Sequence, residues 1–275
     1  MTESSYFDIR PCGPTIGAEL SGLDLNCPIP EPALRDLKRV FVERKVLFFR
    51  GQDLTPQAHV DLARYWGEPI IYPLPEKGAL PEIVRGVHGP HSPGGENIWH
   101  SDVTFQSTPA LGSILKAVRL PACGGDTLWA DMVAAYEGLT AEIKAILAGL
   151  TAIHDSLAPL RGHRSFEKAA ADRDAFPFAE HPVVRIHPDT GSRILYVNHY
   201  YTTELKGDTQ GADAADLLEL LCNQAYHPEY QCRFRWTEGS VALWDNRATQ
   251  HYAASDYYPH ERVMERVTIA GDRPS

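Results

Sequence analysis

Four segments of the chain place a carboxylate two residues after a histidine, a spacing that can bring two metal ligands together. In a β-strand, residues i and i+2 point to the same face of the sheet, so both side chains can reach one ion. With 12 histidines and 36 acidic residues in the chain, such pairs are also expected by chance, and the spacing alone is weak evidence. The four pairs are His59 and Asp61, His100 and Asp102, His187 and Asp189, and His227 and Glu229.

The residues around each pair favour the second one. The first pair lies in a predicted helix, where positions i and i+2 do not share a face. The histidines of the third and fourth pairs are each followed by proline. Only His100 and Asp102 lie in a strand-like apolar segment, WHSDVTF (99–105), where burying both groups is costly unless they are paired or bound. From this segment alone, a histidine–aspartate hydrogen bond at a strand edge remains an equal alternative to a metal site.

A third ligand is available at His251, which follows the predicted strand SVALW (240–244) and the segment DNRATQ. Two histidines and one carboxylate form the facial triad of non-haem iron(II) oxygenases, which leaves three coordination positions open. The same set also suits a hydrolytic zinc site, although the H-E-x-x-H motif of many zinc hydrolases is absent. We therefore predict Fe(II) at His100, Asp102 and His251, with a zinc hydrolase as an alternative.

Composition limits the class of protein. The 275 residues are 43% apolar and 23% charged, which is typical of a globular chain with a real core. The chain contains no run of 18 apolar residues, which a membrane-spanning helix would require. The N-terminus, MTESSYFDIR, lacks the features of a secretory signal. We therefore expect a cytoplasmic protein without membrane partners.

The net charge of −10 argues against nucleic-acid binding, and it means that any bound anion must be held by specific arginines. Five scattered cysteines without a C-x-x-C pair argue against a disulfide framework or a thiolate zinc site.

The elements that must position the site alternate between helical and strand patterns. Strands in both halves and helices in blocks favour a β-sandwich or jelly roll with added helices, in one domain over 1–275. The polar, weakly patterned segment 155–180 is a candidate mobile lid. Helices are predicted over 31–45, 55–66, 140–150 and 213–226, and strands over 46–49 and 262–270, with hairpins pairing 181–187 with 193–197 and 230–236 with 240–244.

The last predicted strand carries two arginines that could bind anions near one metal. Arg262, Met264 and Arg266 alternate on one face, and four residues at about 3.3 Å each separate the arginines by roughly 13 Å. A guanidinium group binds carboxylate or sulfonate through two parallel hydrogen bonds and stays charged. Without a metal site, a pair of surface salt-bridge arginines would be the better interpretation.

Several segments resemble the taurine dioxygenase family of Fe(II)/2-oxoglutarate-dependent dioxygenases. They occur in the family's order and cover almost the whole chain. The resemblance implies a mostly β fold, a double-stranded β-helix (jelly-roll, cupin-like) core flanked by α-helices. The segments are IGAEL (16–20), FFRGQ (48–52), WHSDVTF (99–105), GGDTLWADM (124–132), HPVVRIHPDTG (181–191), LYVN (195–198), WDNRATQHYA (244–253) and ERVMERVTIAGD (261–272).

The resemblance also assigns roles to individual residues. It implies the same three metal ligands and places the 2-oxoglutarate carboxylates at Thr127 and Arg262, with Trp244 lining the cosubstrate pocket. Arg266 matches the arginine that holds the anionic end of the substrate. Where taurine dioxygenase has a histidine that contacts sulfonate, this chain has Tyr72, which argues against taurine itself. The implied substrate contacts are Arg266, Tyr72, Val103, Phe105 and Asn97, the last in a register that could instead give Glu96.

The implied reaction uses Fe(II), 2-oxoglutarate and O2 to hydroxylate a C–H bond of a small organic anion, with release of succinate and CO2. A sulfonate, an alkyl sulfate or an aryloxy or carboxylate compound would fit. The resemblance also implies a homo-oligomer, a dimer or a tetramer. Two alternatives are oxidation of a carboxylate-bearing natural-product precursor and, in a different class, a non-catalytic jelly-roll binding module.

Overall fold

The computed structural model of the chain describes residues 3–73, 77–92, 94–163 and 165–275. Its α-helices are Glu31–Arg44 (α1), Pro56–Arg64 (α2), Met132–Glu137 (α3), Ala141–Leu147 (α4), Phe166–Ala171 (α5) and Ala214–Cys222 (α6). Its strands are Asp8–Pro11 (β1), Ala18–Ser21 (β2), Val46–Phe49 (β3), Ile83–His88 (β4), Gly112–Arg119 (β5), Thr127–Asp131 (β6), Thr151–Asp155 (β7), Phe178–Pro182 (β8), Val184–Ile186 (β9), Arg193–Leu195 (β10), Thr202–Lys206 (β11), Gln231–Phe234 (β12), Val241–Asp245 (β13), Thr249–Ala253 (β14) and Arg262–Ile269 (β15).

The predicted helices are present, and capping side chains fix the first residues of three of them, whereas α1 follows Pro30 and has no side-chain cap. The Thr55 hydroxyl accepts a hydrogen bond from the Ala58 amide at 3.2 Å, which caps α2, and Thr140 caps α4 in the same way. The helix predicted over 213–226 is α6, capped by Asp213 and continued by a short 3-10 helix. In the described part of the chain, none of the helices has the length and apolar character needed to cross a membrane.

Seven strands form the large sheet, in the order β1-β2-β3-β13-β5-β15-β4. The central strand β13 is antiparallel to both β3 and β5. Val241 and Leu243 of β13 share a core cluster with α1 and α2, whereas Ala242 and Trp244 belong to a cluster on the opposite face. All four side chains are buried because both faces of the sheet are covered.

Three strands form the small sheet, in the order β12-β6-β14, which packs on the opposite face of the large sheet. Phe48 of β3 stacks on Phe234 of β12, with ring centroids 4.1 Å apart and planes 3° apart. The ring centroids of Trp129 in β6 and Trp244 in β13 lie 5.9 Å apart. Helices α3, α4 and α6 pack on the other side of the small sheet. These two packed sheets between helices confirm the predicted mostly β, jelly-roll architecture.

One of the two predicted hairpins is wrong. Strand β12 pairs with β6 in the small sheet, and β13 pairs with β3 and β5 in the large sheet, so the chain crosses between sheets at the turn that precedes Val241. Alternating apolar residues specify a buried face but not a partner strand, and the turn signal was therefore compatible with either outcome. The other hairpin is present, with β9 and β10 antiparallel, although residues 181–182 belong to β8.

The segment 155–180 contains α5 and two 3-10 helices before it enters β8 at Phe178; residue 164 lies outside the described residues. Strand β8 joins β7 and β11 in a further three-stranded sheet. The proposed role of this segment as a lid stays a prediction.

Candidate metal centre and adjoining cavity

The two histidines of the predicted triad are held side by side by main-chain hydrogen bonds. His251 lies in β14, and His100 forms an isolated antiparallel bridge with it. The His100 amide donates to the His251 carbonyl at 3.1 Å, and the His251 amide donates back at 2.7 Å. The strand predicted around His100 is wrong, because the bridge is a single pair and the chain reverses immediately afterwards, over 102–105. This reversal returns the Asp102 carboxylate toward both imidazoles.

The three side chains converge on one point. The Nε2 atoms of His100 and His251 each lie 3.9 Å from Oδ1 of Asp102. Two coordination bonds of about 2.1 Å can span such a gap through a shared ion. Within the ranges that the structure describes, no other set of three histidine, cysteine or acidic side chains brings its ligand atoms within 4.8 Å of one another. The donor set of the facial triad therefore fits a divalent metal.

The protonation states of His251 and Asp102 also suit a metal. Burial lowers the pKa of His251 to about 3, with the neighbouring His100 as a further cause. Burial raises the pKa of Asp102, but the charge of Arg266 and the two imidazoles outweigh it and bring the value to about 2. The Ile98 carbonyl lies 2.8 Å from Nδ1 of His100, so a proton on Nδ1 leaves Nε2 free for the metal. Neutral imidazoles and an ionised carboxylate are the forms that bind metal.

The other three histidine–acid pairs lie elsewhere in the fold. His59 is buried in α2 with Nε2 3.0 Å from the Ile114 carbonyl oxygen. Nε2 of His187 lies 3.0 Å from Oδ2 of Asp245, and its Nδ1 accepts a hydrogen bond from the main-chain amide of Asp189 at 3.1 Å, while the Asp189 carboxylate pairs with Arg247. The segment that carries the fourth pair is a 3-10 helix outside the cavity, Pro228–Tyr230.

A cavity opens next to the triad, and one face of β15 supplies part of its wall. Arg262, Met264 and Arg266 all line it, as the alternation predicted. Thr127 lines the same cavity, and so does Trp244, whose ring centroid lies 5.2 Å from that of His251. The residues predicted to hold the metal and 2-oxoglutarate are thus brought together around one space.

Arg262 is a buried cation that forms no close ion pair with the described residues, although the carboxylates of Glu96 and Asp126 act on it from a longer distance. Arg262 is only 5% exposed, and its Nε and Nη2 atoms have no hydrogen-bond partner among the described residues. Burial lowers its pKa, and the ring of Tyr257 lies 5.9 Å from its Cζ. A buried charge of this kind is costly unless an anion pairs with it. A carboxylate of 2-oxoglutarate fits this requirement.

Thr127 complements this arginine from the small sheet. Its Oγ1 accepts a hydrogen bond from the Trp236 indole at 3.0 Å, which leaves its own hydroxyl proton to donate. Thr127 is 2% exposed, so a donor that faces the cavity is shielded from bulk water. A second hydrogen bond to a carboxylate is the natural use of this proton.

Arg266 lies directly beside the metal ligands. Its Nη1 is 3.0 Å from Oδ1 and 3.2 Å from Oδ2 of Asp102, and the charge of Asp102 raises the pKa of this arginine. Tyr72 and Tyr201 are close enough to Arg266 that its charge opposes the rise that burial produces in their pKa values. Arg266 and Tyr201, which both line the cavity, can receive an anion next to the triad.

The remaining predicted contacts lie around this space but not in its wall. Val103, half-buried, has a φ of 50°, and the Phe105 ring lies 5.1 Å from that of Tyr201. Neither residue lines the cavity, nor does Tyr72, among the described residues. Asn97 is exposed, whereas Glu96, the other possible register, lines the cavity.

Sequence reasoning missed several residues that line the cavity, among them His88, Tyr200 and Tyr201. The Tyr200 ring lies 5.2 Å from the His100 ring. His88 of β4 lies opposite Arg262 of β15. The sequence could have indicated that His88 lines the cavity only if the partner strand of β15 had been known. The signal for the tyrosines was their tandem position after LYVN, at the end of a predicted strand.

Comparison with known proteins agrees with this geometry. The chain is 36% identical over 278 aligned positions to an alpha-ketoglutarate-dependent sulfate ester dioxygenase of Pseudomonas putida, covering 97% of this chain and 90% of the relative. It is 34% identical to an alkylsulfatase of Acinetobacter baylyi, covering 94% and 83% of the two chains. The crystal structure of a taurine dioxygenase from Burkholderia xenovorans matches with a TM-score of 0.84 at 34% identity, covering 98% of this chain and 91% of that one.

The family model described as "Taurine catabolism dioxygenase TauD, TfdA family" matches residues 8–268. Together with the fold, this match confirms the predicted class, a dioxygenase dependent on alpha-ketoglutarate, which is 2-oxoglutarate. The chain belongs to the TauD/TfdA family of dioxygenases.

Proposed function

We propose that this chain uses Fe(II), 2-oxoglutarate and O2 to hydroxylate the carbon that bears the sulfate group of an alkyl sulfate ester. The observation that carries the proposal is the buried Arg262, which forms no ion pair with the described residues and lies in the same cavity as the triad of His100, Asp102 and His251. A metal site alone would fit other chemistries. A metal site with a buried cation beside it fits an anionic cosubstrate next to a metal.

His100, Asp102 and His251 would hold the iron, and Arg262 with Thr127 would hold 2-oxoglutarate. When bound, the metal and cosubstrate supply the oxidant, and the protein supplies orientation and a dry cavity. Trp129 and Trp244 are buried in the wall and exclude water there. Arg262 would fix the far end of the cosubstrate, so that its other end meets the metal.

Arg266 with Tyr201 would receive the sulfate group of the substrate. The choice of sulfate esters over sulfonates and aryloxy acids is supported by the two relatives named for sulfate ester and alkyl sulfate chemistry. Hydroxylation of the carbon next to the ester oxygen breaks its C–H bond, and the product collapses to an aldehyde and sulfate. One 2-oxoglutarate and one O2 are consumed, and one succinate and one CO2 are released.

The test is a substrate panel with purified protein, Fe(II) and 2-oxoglutarate, in which succinate, sulfate and aldehyde are measured together. The panel contains a medium-chain alkyl sulfate, taurine, a longer alkylsulfonate, an aryloxyacetate and a carboxylate-bearing amide. We expect succinate and sulfate in equal amounts from the alkyl sulfate. Turnover restricted to the carboxylates would support the natural-product alternative.

Two outcomes would reject the class of reaction itself. A lack of succinate with every compound and without substrate would favour a binding module. Sulfate release without O2 would favour a zinc hydrolase. The proposed homo-oligomeric state, the cytoplasmic location, the single domain over 1–275 and the lack of nucleic-acid partners stay predictions.

A further inference from the structure

The side-chain amide of Asn246 forms two hydrogen bonds with the main chain of the predicted metal ligand Asp102. Its Oδ1 accepts a hydrogen bond from the Asp102 amide at 2.7 Å, and its Nδ2 donates to the Asp102 carbonyl at 3.0 Å. The same Nδ2 also donates to the Ala110 carbonyl at 3.2 Å. Asn246 and Asp102 are both buried, so no water competes for these bonds. One side chain thus fixes the peptide groups on both sides of Asp102.

The backbone directly after Asp102 adopts an unfavourable conformation. Val103, the next residue, has a φ of 50°, and positive φ is unfavourable for a β-branched residue. Such conformations persist only where the surrounding structure imposes them. If Asp102 were free to rotate, Val103 could relax to negative φ, and the carboxylate would turn away from the imidazoles. Asn246 prevents this by holding both the amide and the carbonyl of Asp102.

The turn that carries Asn246 is itself rigid. Arg247 donates from Nε and Nη2 to the Asp245 carboxylate at 2.9 and 2.7 Å, and Nε2 of His187 lies 3.0 Å from the same carboxylate. The main-chain amide of Asn246 donates to the Leu111 carbonyl at 2.9 Å. The main chain on both sides of Asn246 is therefore anchored, and its side-chain amide cannot follow Asp102 if that residue moves.

We propose that Asn246 is a positioning residue that orients Asp102 for metal binding. The proposal rests on the proposed metal centre, because its effect is exerted on a metal ligand. Partners that orient metal ligands typically contribute 10- to 100-fold to metal affinity. We expect a loss in this range when the amide is removed.

The experiment is titration of purified protein with Mn(II), followed by electron paramagnetic resonance of free and bound ion without turnover. In Asn246→Ala, the dissociation constant should rise about 10- to 100-fold, and the signal of the remaining bound Mn(II) should broaden because Asp102 takes several orientations. Asn246→Asp keeps the acceptor for the Asp102 amide but places an oxygen against two carbonyls, so it should weaken binding as well. If the alanine variant does not fold, the aspartate variant decides.

Gln52 provides a matched control because its side-chain amide also accepts from a main-chain amide and donates to a main-chain carbonyl, but in a different loop. Its Oε1 accepts from the Leu25 amide at 3.0 Å, and its Nε2 donates to the Leu23 carbonyl at 3.1 Å, away from the cavity wall. Gln52→Ala should lower the melting temperature and leave the Mn(II) dissociation constant unchanged. An affinity within twofold of wild type in the Asn246 variants would overturn the proposal. A wild-type protein that binds no Mn(II) would instead reject the metal centre itself.

Discussion

Replacement of Arg262 by methionine separates a ligand-binding arginine from a structural one, because the two roles predict changes of opposite sign. Arg262 is 5% exposed, and two of its nitrogen atoms have no partner among the described residues. An unsatisfied buried polar group costs about 1 to 3 kcal/mol. Methionine fills similar space without a charge, so the free energy of unfolding of the metal-free protein should stay the same or rise.

The affinity for 2-oxoglutarate should change in the other direction. Loss of one partner of a buried charge pair costs about 2 to 5 kcal/mol, which corresponds to a roughly 30- to 5000-fold weaker complex. Isothermal titration of 2-oxoglutarate into Mn(II)-loaded protein without O2 measures this directly. Urea unfolding of the metal-free protein measures the stability change on the same samples.

Arg185 is the matched control because it is equally buried but paired. It is 1% exposed, donates from Nη2 to Asp272 at 3.1 Å and lies 5.0 Å above the ring of Tyr196. Arg185→Met should lower the free energy of unfolding and leave 2-oxoglutarate binding unchanged. If Arg262→Met lowered stability as Arg185→Met does, and bound 2-oxoglutarate normally, the assignment of Arg262 would be wrong.

Three further outcomes are expected. Tyr201→Phe should raise the KM for an alkyl sulfate by about 10-fold or more, because Tyr201 lines the cavity and a hydrogen bond to a charged group contributes about 1.5 to 3 kcal/mol. Tyr196→Phe, which removes a buried hydroxyl away from the cavity wall, should leave the KM unchanged. A chelator should abolish succinate formation, and Fe(II) but not Zn(II) should restore it; restoration by Zn(II) would contradict the oxygenase. Burial lowers the pKa of His59 to about 4 and of His154 to about 3, so both stay neutral in the folded state but gain protons on unfolding below pH 6.5. Between pH 7.5 and pH 5 these two histidines should together lower the free energy of unfolding by about 4 kcal/mol, at about 1.4 kcal/mol per pH unit each below 6.5, and a flat urea-unfolding profile over this range would contradict their neutrality.

The sequence by itself determined the features that depend on local pattern. The alternation of Arg262, Met264 and Arg266 placed all three on one face of β15, because side chains of a strand alternate whatever its partners are. Caps such as Thr55 were readable because a helix begins where a side chain satisfies its first amides. Three ligands in distinctive segments also indicated the metal site, which the convergence of their atoms supports.

Only the tertiary structure decided which distant segments meet. Strands β12 and β13 read as a hairpin, but each found its partner in a different sheet, because an apolar face can be buried against any suitable strand. Asp102 reaches the imidazoles through a reversal that Asn246, 144 residues away, holds in place. No local pattern encodes such a contact, since it exists only after the two sheets have packed and brought β14 beside His100.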